Sequence, residues 1–293
     1  MTVRTDLALE AQELDRGNGS GVAVSRRREF GMNITTLHVA TQDAAKRLGK
    51  EPGTYITCEF RALTDEFTAA DKRVAAVGEL IGKLVPKEGC VLVAGIGNNS
   101  ITADALGPMA AAKVLATRHI AGETARALGL DHLRSVCVLS PGVLGQTGLE
   151  VRELLGGIIK NAGIRCVIAV DALASRRLGR LGCTVQISDA GIAPGAGVGN
   201  HRGILNERTL GVPVISVGVP TVVDAATLAC DLLEGSGCES GKRDRFAARE
   251  YADMVVTPRE IDLLTERASL LIGMAINVAL QPQLSPEELF ALV

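Results

Sequence analysis

Four short apolar runs, residues 91–94, 136–139, 166–170 and 214–219, recur along this chain, each followed by glycine or polar residues and then by a stretch of helical spacing. That grammar marks parallel strands joined by crossover helices, because a parallel pair cannot be closed by a tight turn and a strand covered on both faces reads as a continuous apolar run. A further short strand is expected at 184–188, followed by a glycine-rich stretch at 191–203 that suits a mobile loop. The first sixty residues add β-type runs at 22–24, 34–39 and 55–60, which read as hairpins or an edge sheet. Between 68 and 85, Val74, Val77, Leu80, Ile81 and Leu84 recur at helical spacing until Pro86 stops the pattern. Near the end, Thr257, Pro258 and Glu260 spell a capping box with proline at the first helical position, opening a helix to about Leu280 after a polar linker at 235–253. The expected fold is α/β: a three-layer αβα arrangement with a mostly parallel central sheet, crossover helices and an extra N-terminal β hairpin or edge sheet.

Composition narrows the function classes. With 293 residues, 47% of them hydrophobic, the chain can bury a large core. Two Tyr, five Phe and no Trp leave that core to Ala, Val, Leu and Ile, and argue against stacking on nucleobases. A net charge of −2 gives no basic footprint for nucleic acid, so the run Arg26, Arg27, Arg28 reads as a solvated turn and no direct nucleic-acid partner is expected. Seven cysteines include no CxxC pair and no His at zinc spacing, a pattern that suits reduced thiols in a cytoplasm and supports no metal site. The first ten residues carry Arg4, Asp6 and Glu10 without a continuous apolar stretch, so neither a secretory signal nor a membrane span is expected.

In an open parallel sheet the ligand site lies beyond the carboxyl ends of the strands, so residues just after each apolar run are the first candidates. After 91–94 come Gly95, Gly97, Asn98 and then Asp104. Ser100 stands where a dinucleotide fingerprint needs its third glycine, and no acid ends a second strand about twenty residues on, so no nucleotide cofactor is expected. After 166–170 comes Asp171, a carboxylate at the tip of an otherwise apolar strand, expensive there unless used or paired. If the two strands are neighbours, Asp104 and Asp171 share one crevice, where one acid protonated and one ionised could activate water against an amide. The competing reading is structural: Asp104 caps a helix beginning near Ala105 and Asp171 bonds a neighbouring loop. Asp189 and Asp224 are supporting candidates, although Asp224, three residues after Thr221, also fits a helix start. No GxSxG elbow, P-loop or HExxH occurs, and no motif links His38, His119, His132 or His201 to Ser140 or Ser188.

These residues resemble a known family. Val3 to Ala8, Gly49-Lys50, Gly53 to Thr57, Gly95 to Asn98 with Thr102 to Pro108, Pro141 to Val143, Val170 to Ala174, Gln186 to Asp189 with Gly197 to Asn200, Pro220 to Ala225 and Val256 to Glu260 are similar to blocks of the spore germination proteases. Those endopeptidases degrade small acid-soluble spore proteins when bacterial spores germinate. The resemblance spans nearly the whole chain and places the family's proposed catalytic aspartates on Asp104 and Asp171. It implies a self-processing zymogen cut between Asp6 and Leu7, with residues 1–6 as propeptide and 7–293 as one α/β peptidase domain. It further implies a homotetramer in the cytoplasm of the forespore or spore core, acting on small acid-soluble spore proteins without a cofactor. An acid before the cut and Glu10 after it imply basic subsites, for which Arg176, Arg177 and Arg202 are candidates, with Asn98 beside the catalytic turn. The segment 231–253 is shorter than the insertion many members carry. A more distant similarity to hydrogenase-maturing endopeptidases keeps a metal-dependent variant open, and a non-catalytic peptide- or nucleotide-binding protein on the same sheet is the alternative outside enzymes.

Overall fold

The structure is a computed structural model and describes residues 4–15, 20–120, 122–127, 129–195, 203–235 and 254–293. A short helix α1 (Ala8–Leu14) leads into a hairpin of β1 (Val22–Glu29) and β2 (Met32–Val39), then α2 (Gln42–Leu48) and β3 (Gly53–Glu59). Helix α3 (Lys72–Leu84) precedes β4 (Cys90–Ile96), and α4 (Leu106–Ala111) and α5 (Gly122–Ala127) precede β5 (Val136–Gly142). Helices α6 (Leu144–Thr147) and α7 (Val151–Ala162) lead to the long β6 (Ile164–Ser175), then β7 (Thr184–Ser188), α8 (Glu207–Leu210) and β8 (Val214–Asp224). The described chain closes with α9 (Ala225–Gly235), β9 (Val255–Val256), α10 (Ile261–Leu280) and α11 (Pro286–Ala291).

One sheet runs β1-β2-β3-β7-β8-β6-β4-β5, with β9 also paired to β8. Its β5-β4-β6-β8 half is parallel, as the apolar runs predict. The other half is antiparallel, joined through the β7–β8 pair, so the N-terminal hairpin extends the same mixed sheet instead of forming a separate one. Within the parallel half the side chains alternate between two cores, as the strand period requires. Val91, Val93, Ile168 and Val170 pack with Val77 and Ile81 of α3, Leu106 of α4 and Leu271 of α10. Leu92, Ala94, Val167 and Ala169 pack on the other side with Leu155 and Ile159 of α7. Helices on both faces give the expected three layers. By length and composition α10 is apolar enough to cross a membrane, yet two thirds of its most apolar window, 67%, is buried inside this fold, where it packs on α3 and α4.

Several local expectations shift. Arg26, Arg27 and Arg28 lie on the exposed edge strand β1, not in a turn; charge on an edge discourages pairing with another sheet. The capping box at Thr257 does not form: β9 pairs with the end of β8 and keeps Val256 extended, the Thr257 hydroxyl reaches the Pro258 carbonyl, and α10 starts only at Ile261. Residues 236–253 of the expected linker, and 196–202 of the glycine-rich stretch, lie outside the described residues.

The connections fix the location of the site. From β4 the chain crosses to β5 on one side, then returns to β6 on the other, so the strand order reverses between β4 and β6. The carboxyl ends of those two strands diverge around a crevice, the place where ligands enter sheets of this kind.

Candidate active site

Asp104 and Asp171 reach that crevice by different routes. Beyond Ile96 the chain turns at Gly97, with φ +127, and passes through a 3-10 turn at Thr102–Asp104 before entering α4. The glycines make this close approach possible. A Cβ at Gly97 would collide with the Asp104 carbonyl oxygen, one at Gly95 with that of Gly107, and one at Gly107 with those of Ile96 and Val170. Ala105 stands at the N-cap of α4 and offers no side-chain cap; the Asp104 Oδ2 accepts the Asn98 N–H at 2.8 Å. Thr221 on β8 steadies the same turn by donating to the Ala103 carbonyl at 2.6 Å.

Asp171 sits on β6 one residue past Val170, whose partner Gly95 is the last β4 residue in register with β6. It is only 4% exposed, and its Oδ1 accepts the following Ala172 N–H at 2.9 Å. Asp104, Asp171, Gly97, Thr221 and, unexpectedly for such a distant residue, Asp6 line one cavity of about 250 Å³. Two carboxyl groups lining one cavity form a set suited to general acid–base chemistry.

The N-terminal segment is built into the site. The Asp6 N–H donates to the Ala174 carbonyl at 2.9 Å, and the Ala174 N–H donates to Asp6 Oδ2 at 2.8 Å, so this residue is docked against the carboxyl end of β6. The Asp6 carbonyl oxygen accepts from Lys50 Nζ at 2.9 Å and from Gln186 Nε2 at 3.1 Å. Asp6 also lines a second cavity of about 450 Å³ on the α2 side, together with Lys50, Tyr55 and Gln186. Leu7 and Ala8 are fully buried, and Ala8, Ala11, Leu37 and Ala44 share a cluster that anchors α1 to β2 and α2. Glu10 is 1% exposed; its carboxylate accepts the backbone N–H groups of Arg176 at 2.6 Å and Arg177 at 3.0 Å and lies 3.6 Å from the Arg180 guanidinium.

The remaining candidates scatter. Asn98 braces the Asp104 turn through its backbone, while its side chain bonds Ser100 and Gln146. Arg176 turns its guanidinium to Asp231 and its main-chain N–H to Glu10; the Arg177 side chain is directed to Glu13. Asp224 caps α9 by accepting the Thr227 N–H and hydroxyl at 2.9 and 2.8 Å, so it serves as a helix start. Asp189 accepts the Thr54 N–H at 2.6 Å and borders a different surface cleft. Arg202 and His201 lie outside the described residues. Lys50, Gln186 and Arg180 were not singled out from the sequence as site residues; the first two sit within the blocks Gly49-Lys50 and Gln186 to Asp189, which was their only signal. Burial pushes the Lys50 ammonium down from its ordinary value, against the opposing pull of the Asp6 and Glu10 charges.

Other chemistries find little support nearby. Burial pushes the Cys58 and Cys166 thiols up to about 12, so both stay protonated and unreactive near neutral pH. Among the described residues no group of three or more His, Cys, Asp or Glu side chains is placed to hold a metal ion.

Comparison with known proteins supplies the remaining findings. A family model described as germination protease matches residues 3–236. The chain is 42% identical to a germination protease of Caldanaerobacter subterraneus subsp. tengcongensis, covering 98% of this chain and 97% of that protein. It is 37% identical to one of Clostridium acetobutylicum, over 98% of each, and 32% identical to one of Geobacillus sp. (strain WCH70), over 98% of this chain and 95% of that protein. Among solved structures, a [NiFe] hydrogenase maturation protease HycI from Thermococcus kodakarensis KOD1 superposes on 67% of this chain and 98% of its own, at 17% identity and a TM-score of 0.37.

Proposed function

The chain belongs to the germination protease family, and from that premise we propose that it starts the degradation of small acid-soluble spore proteins by hydrolysing peptide bonds with water activated between Asp104 and Asp171. The observation that carries this reading is the shared cavity: two acids 67 positions apart in sequence, one in the turn after β4 and one on β6, line the same cavity at the reversal point of the sheet. The proposed step needs one acid to hold a proton while the other takes one from water, the division of roles that two close carboxyl groups favour. The ionised acid is the base for the attacking water, and the protonated one gives its proton to the leaving nitrogen.

The enzyme is proposed to be made as a zymogen that cuts its own Asp6–Leu7 bond, leaving residues 7–293 as the peptidase domain. Leu7 is fully buried at the root of α1, so the new amino terminus would stay anchored. The proposed setting is a homotetramer in the spore core, with Ala174 receiving the acidic residue before the cut as it receives Asp6 here.

The test is cleavage of a purified small acid-soluble spore protein by Asp104→Asn and Asp171→Asn, each with a matched folding check. Loss of one partner in an acid–base pair should lower the rate by about 10²–10⁴-fold. Full activity in either variant would remove that acid from the mechanism. Loss of wild-type activity in a chelator, restored by one divalent ion, would replace the two-carboxylate step with metal activation.

A further inference from the structure

We propose that Lys50, with Gln186 beside it, is a catalytic residue of self-cleavage, whose ammonium and amide together hold the negative charge that develops on the Asp6 carbonyl oxygen. This rests on the proposed self-processing at Asp6–Leu7 and assigns a second set of chemical groups to that bond, apart from the aspartates. Two donors converge on one carbonyl oxygen, Lys50 Nζ at 2.9 Å and Gln186 Nε2 at 3.1 Å. Both distances suit donors that tighten as the oxygen gains charge.

Neither donor is free to wander. Gln186 stands on β7, is 7% exposed, and grips the segment on both sides of the bond: its Nε2 donates to the Asp6 carbonyl while its Oε1 accepts the Ala8 N–H at 2.7 Å. Lys50 follows Gly49, which closes α2 in the left-handed region at φ +61, and the Lys50 N–H returns to the Ala45 carbonyl at 3.0 Å, fixing the stem from which the side chain extends. Its Nζ also holds the Thr5 carbonyl at 3.0 Å, so the peptide before the bond is clamped by the same cation.

A charged donor aimed at a neutral carbonyl gains most when that oxygen becomes an oxyanion, which is the condition for lowering a barrier instead of merely tightening the ground state. The step balances as follows. Water oxygen bonds to the Asp6 carbonyl carbon and its proton passes to the ionised aspartate of the pair. The carbonyl π electrons move to the oxygen facing Lys50 and Gln186. As the carbon–nitrogen bond breaks, the protonated aspartate gives its proton to the Leu7 nitrogen, leaving an Asp6 carboxyl terminus and a Leu7 amine.

The experiment follows the intact mass of the full-length chain with time, for wild type, Lys50→Met, Lys50→Gln and Gln186→Leu, with hydrogen exchange of residues 4–14 measured in parallel. Removing one oxyanion donor should slow loss of residues 1–6 by about 10²–10³-fold in Lys50→Met, with exchange of residues 8–14, beyond the two carbonyls that Lys50 holds, unchanged. Lys50→Gln, which keeps an N–H donor without the charge, should fall between Lys50→Met and wild type, and it decides the matter if Lys50→Met fails to fold. Wild-type rates in the Lys50 variants overturn the proposal, and so does a slowing matched by a parallel rise in exchange of residues 8–14, which would make Lys50 a tether only. A wild-type chain that cuts a spore protein but never shortens itself overturns the self-processing reading as well, and so identifies the failure as lying upstream of Lys50.

Discussion

Glu10 shows at the scale of one residue how the N-terminal segment is held. Its buried carboxylate accepts two main-chain N–H groups at the bend after β6, and the Arg180 guanidinium is 3.6 Å away. Glu10→Ala would leave those two donors without their partner in a site that admits almost no water. The expected cost is about 2–4 kcal/mol, read as a lower urea midpoint at unchanged slope. A change below about 0.5 kcal/mol, the size expected at an ordinary surface position, would show that the carboxylate is dispensable. From the sequence, Arg176 and Arg177 are candidates for side-chain subsites that take an acidic substrate; in the fold it is their main-chain N–H groups that meet an acid, Glu10 of the same chain. The atoms were not legible: sequence displays side-chain charge, whereas here the main chain does the binding and the guanidinium of Arg176 is committed to Asp231.

Among the elements, α3 gives the cleanest link between local sequence and stability. Asp71 caps it, accepting the Arg73 N–H at 2.9 Å, while the Arg73 guanidinium clasps both carboxylate oxygens. Burial alone would raise the Asp71 carboxyl, but the hydrogen bonds and charge of Arg73 prevail and hold it below its ordinary value of 3.8. A carboxylate depressed in the folded state adds stability above its unfolded pKa and loses it as the pH falls through the folded value. Asp71→Ala should therefore cost about 1 kcal/mol at pH 7, and the difference from wild type should shrink steadily below about pH 4, measured by thermal melts across that range. A gap that stays constant to pH 2 would contradict the carboxylate cap. This helix and the four parallel strands were legible because their apolar spacing survives whatever they pack on. The helix start at Thr257 was misread for the opposite reason: a two-residue strand, β9, captures Val255 and Val256 against β8, and nothing in its own sequence reveals a partner more than thirty positions away.

Across the whole molecule, the cleft is defined by which segments return to it. Asp104 and Asp171 could be picked out because each follows an apolar run, and adjacency of β4 and β6 then brings them to one cavity. The return of Asp6 to Ala174, across 168 positions, leaves no periodic trace and becomes visible only in the fold. Its consequence is a divided cleft: Asp6 and Leu173 line both the cavity of about 250 Å³ that holds the aspartates and the cavity of about 450 Å³ beside α2. On the proposed reading, release of residues 1–6 joins the two and frees the Ala174 main chain and Lys50 for an incoming acidic peptide. A chain whose first residue is Leu7 should then cut a spore protein from the earliest time point, while the full-length chain shows a lag that tracks its own shortening by mass. Stability should fall on that release, because the buried Lys50 ammonium loses the Thr5 and Asp6 carbonyls and the Gln186 amide and Ala174 N–H lose Asp6, although residues 4–6 place no side chain in the three hydrophobic clusters. Equal initial rates from the two chains, with the longer one still intact, would mean that Asp6 does not obstruct the cleft, and the substrate path would have to run clear of Ala174.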